Sequence, residues 1–181
     1  MRRVRYAVAA SLDGYIAGPK GEADWIIMDP DIDFRALFDQ FDTILIGRRT
    51  FEGLKGASGG GTPGMKTFVF SRTLQQRDYP DVTVVSEKPA DTVADLRAGS
   101  GKDIWLFGGG LLFRSLADAG MVDAVEVAIV PVLLGEGIPL APAAAGRIQL
   151  ALTGHRVYEK TGIVSLQYAV KPAVAQRARR A

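Results

Sequence analysis

The residues of this chain able to do chemistry cluster at a few strand-to-helix junctions. Gly108, Gly109 and Gly110 follow the strand-forming run Ile104 to Phe107 and precede an apolar-periodic segment that starts at Leu111. A strand, a tight glycine turn and a helix aim bare backbone N–H groups and the positive end of a helix dipole beyond the strand, which suits an anion such as a pyrophosphate. A helix packed closely against a sheet also uses such glycines, so the triplet alone does not decide between the two. Gly47-Arg48-Arg49-Thr50 closes one strand and opens a helix, and Ser71-Arg72 follows another. Guanidinium forks grip phosphate oxygens, although a lone surface arginine is more often simply solvated. Asp31 and Asp33 stand before a helical segment and Asp13 stands in an Asp-Gly turn; each is equally suited to an N-cap or a turn.

What positions these groups must be a single compact unit. At 181 residues the chain is most simply one domain, with enough length to bury a core without staples. Cysteine is absent, which excludes disulfides, thiolate catalysis and Cys-ligated metals. The one histidine, His155, cannot form a His-pair metal site, so no metal is expected and His155 reads as structural. No apolar run reaches the roughly 18 residues of a membrane helix, and Asp13 and Gly14 interrupt the N-terminal apolar stretch where a signal peptide would continue. A cytoplasmic protein without membrane contact is expected.

The net charge of +2 is concentrated in the tail. Lys171, Arg177, Arg179 and Arg180 are four of the 22 basic residues; without them 18 stand against 20 acids, a net of −2. The body is therefore no nucleic-acid binder by charge. We divide the chain into a domain over residues 1–170 and a basic, frayed tail over 171–181.

Along the chain, Arg3 to Ala10 reads as a buried strand, Ser11 to Gly18 as a turn-rich exit, and Gly21 to Asp31 as an aperiodic loop with Trp25 as an anchor or pocket wall. Phe34, Leu37, Phe38 and Phe41 mark one helical face, with Asp31 or Asp33 as N-cap. Strands follow at Thr43–Ile46, Thr67–Phe70, Val82–Val85, Ile104–Phe107 and Val125–Val130, with helices from Arg48, over Thr92–Ala98 and from Leu111. The Gly56–Gly64 stretch imitates a phosphate loop, but Met65 replaces the last glycine and the stretch precedes a strand, so it is expected to be a surface loop. Ile148–Tyr158 and Ile163–Val170 form an antiparallel hairpin. Alternating strands and helices make an α/β fold with a mainly parallel sheet and an antiparallel edge, and ligands of such sheets bind beyond the carboxyl ends of the strands. No strand carries GxGxxG, so an ordinary Rossmann site is absent.

AASLDGYIAG, LIGRRTFE, the FSR after the third strand, the FGGG turn and VPVLLGEGIPL, in that order, resemble the dihydrofolate reductase superfamily. The likeness spans about Arg3 to Val170 and is nearest to the branch holding the reductase domain of bacterial riboflavin biosynthesis and its stand-alone relatives. It implies a three-layer dihydrofolate reductase-like fold with about eight strands, binding NADPH, and a homodimer, for which the apolar loop Val132 to Leu140 is a further hint.

By position, the resemblance makes Ala9 and Ala10 neighbours of the nicotinamide, with the segment from Asp13 to Trp25 as the loop above it. Gly47, Arg48, Arg49 and Thr50 would hold the pyrophosphate, and Arg48 with Ser71 and Arg72 the 2′-phosphate. Phe107, Gly108, Gly109, Gly110, Leu111 and Leu112 would complete the cofactor site, with a cis Gly108–Gly109 bond. Catalysis would be hydride transfer. Asp31 matches the carboxylate that grips the pterin in folate enzymes, with Asp13 as a second catalytic candidate.

Phe113 stands where folate reductases typically carry a tyrosine, and no residues for a glutamate tail can be picked out. The riboflavin enzyme is usually fused to a zinc deaminase, which this Cys and His content excludes. The expectation is therefore an NADPH-dependent reductase of a small pyrimidine- or pterin-like or carbonyl substrate, resembling 5-amino-6-(5-phosphoribosylamino)uracil reductase. The rival readings are a stand-alone dihydrofolate or pterin reductase, which needs Asp31 in the pocket, and a non-catalytic nucleotide-binding relative.

Overall fold

Consecutive apolar residues such as Ile44, Leu45 and Ile46, which are 2%, 0% and 1% exposed, lie in a strand covered on both faces. A computed structural model describes residues 1–58, 64–142 and 146–172 and places this run at the middle of an eight-stranded sheet. In chain order the strands are β1 (Val4–Ser11), β2 (Tyr15–Ala17), β3 (Phe41–Gly47), β4 (Lys66–Phe70), β5 (Thr83–Val85), β6 (Asp103–Gly108), β7 (Ala124–Val130), β8 (Ile138–Pro139), β9 (Leu150–Tyr158) and β10 (Ile163–Val170). The helices are α1 (Phe34–Phe38), α2 (Arg48–Ser58), α3 (Pro89–Ala98) and α4 (Gly110–Asp118). The main sheet runs β5-β4-β3-β6-β1-β7-β10-β9, parallel from β5 to β7, with β10 and β9 added antiparallel.

Alternation along the strands sorts the core into two faces. Leu45, Ile104 and Leu106 pack with Val93 of α3 and with Leu112, Phe113 and Leu116 of α4. Ile44, Ile46, Trp105 and Phe107 point to the opposite face, against Phe51 of α2. Two helical layers therefore sandwich the sheet, the three-layer α/β architecture that the resemblance implied. Among the described residues no helix is long and apolar enough to cross a membrane.

Two local expectations are corrected. The helix expected to carry Phe41 on its apolar face ends at Phe38, and Phe41 instead opens β3. Its ring is 3% exposed, packs on Trp105 at 5.7 Å and lies beneath the Arg5 guanidinium, so burial in the sheet outweighs the helical period. The exit after β1 is not all turn: Tyr15–Ala17 pairs antiparallel with Ile138–Pro139, a contact across more than a hundred residues. α2 also continues through Gly56 to Ser58, and the rest of the glycine-rich stretch, 59–63, lies outside the described residues, as does the tail from 173 onward.

Candidate active site

Parallel strands that end in register bring their following loops together. Gly47 of β3 pairs with Phe70 of β4, and Ile46 with Gly108 of β6. The starts of α2 and α4 and the Ser71-Arg72 turn thus share one edge of the sheet. Gly108 has φ +135°, a region that side chains rarely adopt, and the Gly108–Gly109 peptide is cis, as the resemblance implied. A Cβ on Gly47 would lie 3.7 Å from both the Gly108 carbonyl oxygen and the Gly109 nitrogen, and one on Gly109 would lie 3.6 Å from Thr50 Oγ1. The two helix starts are therefore in direct proximity. Neither has an acidic residue in its first turn, and α4 is capped by Gly109 without a side-chain acceptor, so no acid of either first turn competes for their positive ends. Gly110 has a steric reason of its own: a Cβ there would fall 2.5 Å from the Pro139 carbonyl oxygen.

Beside this junction opens a cavity of about 1020 Å³ on the α2 side of the sheet. Its floor is the sheet surface of β1 and β7, at Ala7, Ala9, Glu126 and Ala128. The segment between Gly18 and Asp33 forms one wall through apolar residues such as Ile26, Ile27 and Met28. That segment hangs on the turn of the β9–β10 hairpin. Thr161 donates to Asp29 Oδ2 at 2.6 Å, Lys160 pairs with Asp31 at 2.8 Å, and Arg156 donates to the Asp31 carbonyl at 3.4 Å. Asp29, 1% exposed, is held below the usual carboxylate range chiefly by the Thr161 hydroxyl, and the Lys160 ammonium is raised by Asp31.

The sequence-derived candidates distribute unevenly over this geometry. Ala9, Arg49, Thr50, Phe107 and Gly109 line the cavity. Gly47, Gly108 and Gly110 build the junction beside it. Ala10 is fully buried in the core behind the sheet, and Leu112 packs there too while its N–H bonds the Gly109 carbonyl. Leu111 is 76% exposed. Arg48 makes an exposed pair with Glu52 one turn along α2 at 3.3 Å. Ser71 Oγ accepts from the N–H groups of Thr73 and Leu74, shaping the turn that carries the exposed Arg72.

Of the catalytic candidates, neither Asp31 nor Asp13 lines the cavity. Asp31 faces Lys160, while Asp33 caps α1 by accepting from Ala36 at 2.9 Å and does border the cavity. Asp13 accepts from Ser11 Oγ and from the N–H groups of Leu134 and Gly135, which fastens the loop after β7 to the end of β1. Its carboxyl is lowered first by the Ser11 hydroxyl and then by Gly135. Trp25 anchors its own loop by donating to the Glu22 carbonyl, and His155 sits exposed on β9 opposite Leu166. Tyr6 stacks on Phe113 at 4.1 Å and bonds the Leu140 carbonyl, so that phenylalanine is a core residue.

Sequence reasoning missed a polar group on the cavity floor. Glu126 of β7 accepts two bonds from Arg5 of β1, at 2.7 and 2.8 Å, and Arg5 also donates to Gln40 and Asp103. Burial works against the Arg5 cation, yet Glu126 and Asp103 together outweigh it and the pKa of Arg5 rises. The only sequence signal was a charge in the middle of each of two otherwise apolar strands, which calls for a partner.

A model of the RibD C-terminal domain matches residues 2–164, nearly the whole described body. The chain belongs to the RibD C-terminal domain family. Among its relatives is the uncharacterised Bacillus subtilis (strain 168) protein YyaP, 36% identical over 183 residues, covering 92% of this chain and 94% of YyaP. YwjB of the same organism, also uncharacterised, is 29% identical with 92% and 97% covered. In structure this RibD C-terminal domain protein resembles one from Shewanella sp. PV-4 provisionally assigned to riboflavin biosynthesis, with a TM-score of 0.79, 26% identity, and 95% and 100% of the two chains covered. It shares its fold with dihydrofolate reductase from Enterococcus faecalis, solved with NADP(H) and RAB-propyl, at a TM-score of 0.69 and 17% identity over 94% and 97% of the chains. The chain thus has a dihydrofolate reductase-like fold.

Proposed function

We propose that this protein is an NADPH-dependent reductase that delivers hydride to a small pyrimidine- or pterin-like or carbonyl substrate. The observation that carries the reading is the meeting of two helix starts without acids in their first turns, α2 and α4, at the mouth of a cavity large enough for a second ring beside a nicotinamide. The donor set fits a phosphorylated dinucleotide: backbone N–H groups at the junction, Arg49 on the cavity wall, and Arg48 and Arg72 at neighbouring strand ends. Bound there, the cofactor would supply the hydride. The chain's own part is to hold phosphates at the helix starts, to orient the reacting rings on the flat surface of Ala7, Ala9 and Ala128, and to exclude water with the Ile26–Met28 wall.

A stand-alone folate or pterin reductase needs Asp31 in the pocket, and the pairing of that carboxylate with Lys160 withdraws this support. The deciding experiment is a thermal-shift titration of the purified protein with NADPH and, separately, NADH. At a hundred times its dissociation constant a ligand adds about 2.7 kcal/mol. A shift with NADPH and little or none with NADH is the expected outcome; no shift with either overturns the cofactor assignment and favours a different ligand for this fold.

A further inference from the structure

The four methionines of the chain stand in different surroundings. Met65 packs against the cluster of Ile44 and Phe51, and Met121 against that of Val4 and Leu116, with its Sδ 3.9 Å from an Arg97 nitrogen. Both are half-buried. Met1 is 94% exposed and does not line the cavity. Met28 is 64% exposed and does line it, alone among the four.

The wall is fastened on either side of this residue and not at it. Ile26 donates to the Ala23 carbonyl at 3.1 Å. Asp29 is tethered by the Thr161 hydroxyl at 2.6 Å, and it accepts from the N–H groups of Asp31 at 2.8 Å and Ile32 at 3.1 Å. Between them, Ile27 and Met28 belong to no helix or strand, and among the described residues no hydrogen bond ties their main chain. What keeps this span against the cavity is apolar contact from its own side chains and the tether at the next residue. Dispersion contacts of that kind are small one by one, and a polar atom introduced among them adds a desolvation cost.

We propose that Met28 is an oxidation site, and that its conversion to the sulfoxide by a peroxide loosens the cavity wall. The thioether sulfur attacks one oxygen of hydrogen peroxide: an S–O bond forms and the O–O bond breaks. Sulfur is oxidised by two electrons and the peroxide is reduced; the released hydroxide takes the proton of the transferred oxygen and leaves as water. An apolar, flexible side chain thereby becomes a polar one with a strong hydrogen-bond acceptor. The hydrated sulfoxide turns to solvent, and the span between Ile26 and Asp29 loses its hold on the cavity. Asp29 keeps its tether to Thr161, so the change is local, and enzymatic reduction of the sulfoxide restores the wall. The inference requires no ligand in the cavity and is independent of the hydride-transfer reading.

The test treats the whole chain with hydrogen peroxide and reads two quantities: sulfoxide formation by peptide mass spectrometry, and amide hydrogen exchange of the segment between Gly18 and Asp33. Met28 is expected to gain oxygen about tenfold faster than Met65 or Met121. Wall peptides of the oxidised protein are expected to exchange about threefold faster or more, with those of β3 and β6 unchanged. Met28→Leu keeps an apolar side chain of similar size and all the other methionines, so the same dose should leave its wall exchange unaltered. Met28→Gln puts a polar oxygen at the position without any oxidant and should reproduce the faster exchange. Methionine sulfoxide reductases should return the oxidised wild type to its starting exchange. Since Met28 is exposed, both variants keep the fold. Oxidation of Met28 no faster than that of Met65 or Met121, unchanged exchange in the oxidised wild type, or an equal rise in oxidised M28L overturns the inference.

Discussion

The two ends of the cavity are built from different materials. At the edge where β3, β4 and β6 finish, the polar groups are main chain: N–H groups at two helix starts, brought together because Gly47, Gly108, Gly109 and Gly110 carry no side chains. On the floor formed by β1, β7 and β10, the polar groups are side chains, Arg5, Glu126 and Gln167, gathered from positions more than 160 residues apart. The first end depends on what is left out and tolerates little addition. The second depends on paired charges and tolerates no half-removal.

That contrast predicts the largest effect on the floor. Arg5→Met leaves Glu126 and Asp103 facing each other without their cation and should cost about 3–5 kcal/mol in urea unfolding. Arg5→Met combined with Glu126→Leu should recover most of that loss; equal destabilisation of single and double variants would break the pairing argument. Next comes the glycine end, where Gly110→Ala drives a Cβ into the Pro139 carbonyl and Pro142 and should cost about 2–3 kcal/mol, read in the same denaturant series. A wild-type midpoint for G110A would mean that the loop before residue 142 yields freely.

Ligand binding separates the ends further. Arg72 is exposed on its turn, so Arg72→Ala should leave the melting temperature alone while weakening NADPH about tenfold and NADH hardly at all. Equal weakening of both nucleotides would place Arg72 on the pyrophosphate instead.

The smallest effect concerns the wall. Asp29 has its folded pKa below the ordinary 3.8, so its contribution is present above that value and lost as pH falls through the folded pKa. Asp29→Asn should therefore lower the melting temperature near neutrality, with the gap to wild type closing as pH drops below the ordinary carboxylate range. A gap independent of pH would assign the effect to packing.

These differences track what could be read from the chain alone. The strand order of types, the glycine turn and the helix starts were legible because they are local: β-branched and aromatic runs, glycines and a 3.6-residue period lie within a dozen residues of one another. Even the error at Phe41 was local evidence overruled by packing, since its ring is needed between Trp105 and Arg5. Asp31 and Asp13 illustrate the opposite. Their types suited catalysis, but what a carboxylate does depends on what faces it, and Lys160 and the Leu134 and Gly135 amides arrive from more than a hundred residues away.

By itself, then, the sequence determined an α/β sheet with an antiparallel edge and an anion-ready glycine junction, because backbone conformation answers to neighbouring residues. The tertiary structure alone decided which charges meet. Only the parallel pairing of β1 with β7 and the return of β10 set Arg5, Glu126 and Gln167 in one row, and only the hairpin turn drew Asp29 and Asp31 out of the cavity. Register across strands is a property of the folded sheet, and one residue of slip would turn every one of those side chains to the other face.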